Sequence, residues 1–190
     1  MMMGIINNAF ANSSSSLIIA KVQGNATDFL MPPLAPFELA IAFIGGAAVR
    51  GVLVGLASAF ALAFFADVTP SNWLAALYFS TLAAVIFGAL GLLGGIWADK
   101  FDHLAAFTNF VVTPLTFLSG TFYAVDSLPA PLDTIGHWNP VFWLIDGFRF
   151  GFVGQADGNL AVSAVASLAL AVGLCGFCWA VLRSGWRLKA

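Results

Sequence analysis

WLAALYFSTLAAVIFGALGLLGGIW, residues Trp73 to Trp97, decides what kind of protein this is. The stretch holds no charged residue, and a Trp stands at each end, where an indole ring sits well at the level of lipid headgroups. A membrane helix needs about 20 mostly apolar residues, each adding about 1.5 Å, and this stretch meets that need. Working outward, Leu39 to Ala66 carries a single charge, Arg50, and Leu160 to Leu182 carries none. Leu104 to Val125 is apolar too, but Pro114 removes a backbone donor and predicts a kink. Residues 1–20 read as a partial span, because Asn7, Asn8, Asn12 and four serines interrupt the apolar run. The expected fold is therefore an all-α integral membrane protein with about five transmembrane helices, four of them full spans.

Composition agrees. The chain has 190 residues, 61% hydrophobic and 8% charged, where soluble domains carry about 25% charged residues. Too few polar residues remain to cover a water-facing surface. A net charge of −2 without any basic cluster excludes nucleic acid as a partner. The first residues, MMMGIINNAFANSSSSLIIA, lack the basic region of a signal peptide. They read either as a disordered leader or as the tail of a membrane helix whose first half is missing.

The distribution of Lys and Arg predicts orientation. Lys21, Lys100, Arg183, Arg187 and Lys189 fall on one side of the alternating layout, which is expected to be cytoplasmic together with the C-terminus. Arg149 falls opposite, among Asp126, Asp133, Asp146 and Asp157. The segment from Asp126 to Gly158 is then external. It is rich in Phe, Trp and Leu, yet Pro129, Pro131 and Pro140 stop a single helix from crossing. Short re-entrant helices are expected, tolerated where protein or water satisfies the backbone.

Chemistry-bearing motifs are few. A phosphate-cradling P-loop needs Gly directly before Lys, but the lysines follow Ala20, Asp99 and Leu188. Any ATP must bind another chain. Cys175 and Cys178 form C-x-x-C inside a membrane helix, where small apolar packing is the better reading than redox chemistry. His103 and His137 fall on opposite sides of the membrane, so no metal site is expected. Gly88, Gly91 and Gly95 share one helix face, which suits close helix packing within the chain or between two copies. Arg50 is either an intramembrane functional charge or a residue that snorkels to the cytoplasmic headgroups. Asp146 and Arg149, three apart, pair on one helical turn, a role read as structural.

One polar stretch separates the apolar runs: AKVQGNATDFLMPPLAP, from Ala20 to Pro36. Residues 20–31 form a predicted short amphipathic helix that the prolines end. Pro36 suits the first turn of the next helix, with Glu38 near its positive end. Such a helix either lies on the membrane surface or transmits force from something docked beneath it.

AKVQGNATDFLMPPLAPFELAIAF and PLTFLSGTFYAVDSLPAPLDTIGHWNPVFWLIDGFRFGF closely resemble the membrane subunits of type-2 ABC exporters, in particular bacterial permeases grouped with lipo-oligosaccharide and multidrug export. The match covers the whole chain, read as a single transmembrane domain over 1–190. The resemblance implies a dimer of permease subunits, a homodimer by expectation, in the bacterial inner membrane among its lipids, with two cytoplasmic ATPase subunits. This chain would bind no cofactor itself; ATP and Mg would sit on the ATPase partner. Ala20 to Met31 occupies the place of the family's coupling helix, so Lys21, Gln23, Gly24, Asn25, Asp28 and Phe29 are the implied ATPase contacts. Leu128 to Trp138 and Val141 to Val153 match the external re-entrant helices of segment 126–158. Phe122 and Tyr123, with Asp146 and Arg149, are the residues assigned to an external gate. The family has six spans; here the N-terminal residues resemble the middle and end of the second, and the first is expected to be missing through a misassigned start. The resemblance thus implies a non-enzymatic permease that exports a lipid-linked, saccharide or drug-like molecule. The alternatives are an ATP-independent channel or secondary transporter, which would place ionisable residues at the bilayer midplane, and an intramembrane enzyme, which would need a nucleophile and base at one depth.

Overall fold

A computed structural model describes residues 1–23, 34–65, 69–119 and 139–186. Among these the chain is helical and contains no strand. The elements are α1 (Met2–Val22), α2 (Pro36–Ala63), α3 (Trp73–Trp97), α4 (Phe101–Phe107), a π-helical turn (Thr108–Val112), α5 (Thr113–Phe117), α6 (Pro140–Val153) and α7 (Leu160–Ser184). Among the described residues α2, α3 and α7 are long and apolar enough to cross a membrane. That is a narrower set than the five spans expected from sequence. α1 is long enough but too polar, and the stretch around Pro114 is a broken rod rather than one long helix.

Helix boundaries follow from local chemistry. The Asn72 and Asn159 side chains accept the N–H groups of Ala75 (3.1 Å) and Ala161 (3.0 Å), capping α3 and α7. Asn139 does the same for Val141 (3.0 Å) in α6, and Pro140 fills its first turn. Pro36 opens α2 as expected, and the Glu38 carboxylate accepts the N–H of Ala35 (2.8 Å). α6 and α7 end at Gly154 and Gly185 with φ of 77° and 67°, a left-handed conformation that other residues adopt at a cost.

α3 is the central helix. In its most apolar window 67% of the residues are buried, against 28% for α2 and 22% for α7. α1 buries Ile5, Ile6, Ala9, Phe10, Ser13, Ser14, Leu17 and Ile18, spaced three and four apart along the face that meets α3. The approach is close because α3 presents glycines. A Cβ at Gly91 would run into the backbone carbonyl of Phe10, and one at Gly95 would lie 3.1 Å from the Ser14 carbonyl. A Cβ at Gly88 would sit 2.9 Å from Ala47 of α2. The glycine stripe is therefore used within the chain, on α1 and α2. Gly51 of α2 closes the same junction, its own Cβ position 3.1 Å from Ala84 and 3.2 Å from Ala9.

α6 runs antiparallel to the first half of α3. A Cβ at Gly151 would lie 2.6 Å from the Ala76 nitrogen, and one at Gly147 would overlap the Phe79 ring. The Gly151 carbonyl accepts the Asn72 N–H (2.8 Å), so the C-terminal end of α6 meets the start of α3. From there α6 dips alongside α3, burying Val141, Phe142, Leu144 and Ile145 with Phe79, Leu82, Ala83 and Ile86. A helix over Val141 to Val153 is thus present, packed on α3. The other expected re-entrant piece, Leu128 to Trp138, lies outside the described residues.

Packing at this density predicts unequal costs at glycines. Gly91→Val forces α1 away from α3 and should cost about 1–3 kcal/mol or more, the usual range for overpacking. Gly173→Ala meets nothing within 4 Å and should leave stability unchanged. Thermal unfolding in detergent, followed by size-exclusion chromatography, should show a lower midpoint for the first variant and an unchanged one for the second.

Candidate functional site

The termini of the helices collect the charged residues at two ends of the bundle. At one end the last turns of α1, α3 and α7 meet the first turns of α2 and α4, with Leu17, Leu92, Ile96 and Leu182 in one apolar cluster. Lys21 reaches across from α1. Its ammonium donates to the carbonyls of Ile96 (2.6 Å) and Ala98 (3.1 Å). These carbonyls belong to the C-terminal end of α3, where the helix leaves acceptors unpaired and carries partial negative charge. Lys21 thus caps α3 and fixes the point from which the polar stretch departs. Gln23 follows, exposed, its N–H on the Ile19 carbonyl (2.9 Å). Gly24, Asn25, Asp28 and Phe29, the other implied ATPase contacts, lie outside the described residues. Arg183 stands at the same end, 5.3 Å above the Trp179 ring.

At the opposite end the α6–α7 corner is built on Asp146. Its side chain is fully buried, and every oxygen is used. Oδ1 accepts the N–H of Asp157 (2.8 Å), and Oδ2 accepts that of Gly158 (3.0 Å). Arg149 donates to Oδ1 at 3.2 Å and also forms an ion pair with Asp157. That hydrogen bond to Asp157 is the largest cause raising the guanidinium pKa above its ordinary value, against the opposing effect of burial. The expected Asp146–Arg149 pair is present, and its structural role is to hold the turn between α6 and α7. Asp157 was not legible as a participant. Its signal was the Asp157-Gly158 pair just before α7, a turn sequence whose backbone N–H groups need an acceptor. Ser71 adds a hydroxyl hydrogen bond to the Phe152 carbonyl (3.0 Å). Phe122 and Tyr123 of the expected gate lie outside the described residues.

A third polar place lies between the ends. Arg50 is exposed and donates from Nη1 to the Asn12 side-chain carbonyl at 3.1 Å. α2 begins at Pro36, so Arg50 lies midway along its 28 residues. Cys178 is buried, with its thiol on the Ala89 carbonyl (3.4 Å), and Cys175 is half-buried beside it. Both thiols are free, in keeping with packing residues. Among the described residues no group of His, Cys, Asp and Glu could hold a metal ion.

These features define a multi-pass membrane protein whose charged groups, among the described residues, sit at the two ends of the bundle, with one exception. Residues 1–153 match the family model of the ABC-2 type transporter. The chain is 34% identical over 189 residues to the inner membrane transport permease YadH of Escherichia coli strain K12, covering 100% of this chain and 74% of that protein. It is also 32% identical over 95 residues to nodulation protein J of Rhizobium leguminosarum biovar viciae, covering 48% of this chain and 37% of that one. No solved structure matches. The chain belongs to the ABC-2 type transporter family, as the two quoted stretches suggested, and is a transport permease of that family.

The buried carboxylate gives a direct expectation. Asp146→Ala strips two backbone N–H groups and a guanidinium of their acceptor and should cost about 3–5 kcal/mol, the range for breaking a buried ion pair from one side. Limited proteolysis should cut the turn between Gly154 and Asn159 far faster in this variant than in Asp157→Ala, which leaves Asp146 in place.

Proposed function

We propose that this chain is the membrane subunit of an ATP-driven exporter in the bacterial inner membrane. It works as a pair of permease copies with two cytoplasmic ATPase subunits. ATP and Mg²⁺ belong to the ATPase partner. In this reading α1 and the broken α4–α5 rod also cross the bilayer, the Lys21 end and the C-terminus face the cytoplasm, and the Asp146 corner faces outward. Membership in the ABC-2 family supports transport. The single observation that carries the coupling role is the Lys21 clamp. A polar stretch rooted at Val22 cannot move without moving the end of α3, because the ammonium of Lys21 is bonded to Ile96 and Ala98. A push on residues 20–31 by a docked ATPase is therefore delivered to the central helix rather than lost in a loose loop.

The name of one relative, a transport permease, fits transport, and the resemblance to lipo-oligosaccharide and multidrug permeases supports export of a lipid-linked, saccharide or drug-like molecule. On this view the outer gate forms near Phe122 and Tyr123, against the re-entrant helices. A secondary transporter would need an ionisable group that loads and releases a proton or ion at mid-depth. Among the membrane-crossing helices α2, α3 and α7, the one charged side chain far from the helix ends is Arg50, and no carboxylate accompanies it between their first and last turns.

Purification from mild detergent tests the assignment. An ATPase subunit should be recovered with the wild-type protein, and Gly24→Pro or Asp28→Lys should reduce recovery about tenfold, a loss of roughly 1.4 kcal/mol. Lys21→Met should leave the ATPase bound yet uncouple its hydrolysis from transport. Recovery of no ATP-binding chain with the wild type would favour the channel-like alternative.

A further inference from the structure

Arg50 is the one charge placed far from either end of a membrane-crossing helix. It lies midway along the 28-residue α2, and its partner Asn12 lies midway along the 21-residue α1. At 1.5 Å per residue, Arg50 is about 20 Å from each end of α2, farther than an Arg stem reaches to a headgroup. An unshielded guanidinium at that depth is costly, so such residues face a partner or a polar cavity.

Among the described residues Arg50 has a neutral partner and no counter-charge. Asn12 meets one of its five N–H donors, at 3.1 Å. Among the described residues every carboxylate lies in a connecting stretch or a first helical turn, except Asp146. Asp146 is already committed to Arg149, Asp157 and Gly158. Between their first and last turns α1, α2, α3 and α7 contain no acidic residue at all. Arg50 is exposed between Val49 and Leu53 of its own helix, and the row of α1 that faces it is polar. Asn8, Asn12 and Ser16 follow one another at spacings of four along α1, which aligns them on one face. Across from them Gly46 of α2 has no side chain, and a Cβ there would meet only the Asn12 amide, at 3.9 Å.

We infer that Arg50, held by Asn12, is an intramembrane subsite for an anionic group, a phosphate or carboxylate carried by the transported molecule or by a membrane lipid. The guanidinium presents a planar fork of donors that matches such a group in two parallel hydrogen bonds. Asn12 fixes the fork's direction while leaving most of its donors outward. Gly46 leaves room for the incoming oxygens. The transported-molecule form of this inference rests on the transport reading above; the anion subsite itself does not.

Thiol labelling at position 46 tests it without knowledge of the cargo. Gly46→Cys is introduced with Cys175→Ser and Cys178→Ala, and the protein with any co-purifying subunits is reconstituted in phosphatidylcholine vesicles. An anionic sulfonatoethyl methanethiosulfonate should then modify the introduced thiol roughly tenfold faster than its cationic trimethylammonium counterpart, as a local positive charge concentrates anions. Arg50→Gln should abolish the preference, and Arg50→Lys should keep part of it. Inorganic phosphate that slows the anionic reagent in phosphatidylcholine marks a site fed from water, as a transported molecule would require. Slowing on addition of phosphatidylglycerol, with no effect of inorganic phosphate, marks a lipid headgroup as the occupant. Equal rates for the two reagents, or rates indifferent to Arg50→Gln, would overturn the proposal. So would modification by membrane-permeant N-ethylmaleimide alone, which would show the face sealed from anions. None of these readouts depends on the ATPase, so the subsite can fail while the exporter reading stands, and the reverse.

Discussion

The contact on which the rest of the fold depends is the seating of α1 on α3, backbone against backbone, at Gly91 and Gly95. Lipid tails are as apolar as leucine, so helices in a bilayer gain little from burying apolar surface against each other. They associate where small residues let dispersion and polar contacts act at short range. Once α1 is drawn into that groove, α2 has a surface to meet on both. Gly51 reaches Ala9 of α1 and Ala84 of α3, and Gly88 accepts Ala47. α6 also meets α3 at glycines, nearer the start of α3, with Gly147 under the Phe79 ring and Gly151 against the Ala76 backbone. The large apolar side chains of α2 and α7, such as Phe60, Leu53, Val165 and Val172, are left pointing outward. On α2 and α7 mostly small residues face inward and bulky ones face the surroundings, while Phe79, Phe87 and Leu92 of α3 fill the interior.

Polar atoms inside this arrangement are nearly all spent locally. Ser14 donates to the Phe10 carbonyl (2.8 Å), and Ser80 to that of Ala76 (2.5 Å), each one turn back along its own helix. Ser13 crosses to the Phe43 carbonyl (3.2 Å), and Tyr78 crosses to that of Ala164 (3.0 Å). Where no water competes, such bonds decide which faces meet, because the alternative is an unpaired donor in hydrocarbon. This accounts for the polarity of α1. Its serines and asparagines lower its hydropathy below that of a free-standing span, and neighbouring helices and its own carbonyls take up most of the hydrogen bonds.

Much of this was legible in the sequence, and unevenly so. Trp73 to Trp97 reads off as one helix with its observed boundaries, because uninterrupted apolarity and two terminal tryptophans leave no other solution. The start of α2 at Pro36 follows from the missing N–H of proline, and Pro114 follows a π-helical turn over Thr108–Val112 that the sequence did not announce. The glycine stripe announced close packing without saying against what; only the paths of α1 and α2 decide that. At the site, Asp146 and Arg149 were visible through their spacing of three. Asp157 was not, since its role depends on a turn that folds back onto α6. Lys21 was read through its exposure to a partner. Its bonds to Ile96 and Ala98 bridge residues far apart in the chain, and no local pattern encodes them.

The α6–α7 corner has a mechanical meaning. α6 is seated on α3 with the Phe79 ring over Gly147 and the Ala76 backbone against Gly151, and Asp146 ties α6 to the start of α7. α3 contains no proline between Trp73 and Trp97, and Lys21 grips its other end. A displacement at that grip would act on an unbroken helix that ends at the corner. In the neighbouring strut the π-helical turn and Pro114 interrupt the regular hydrogen-bond ladder. The two columns therefore differ in kind: one is regular from end to end, and the one beside it is not.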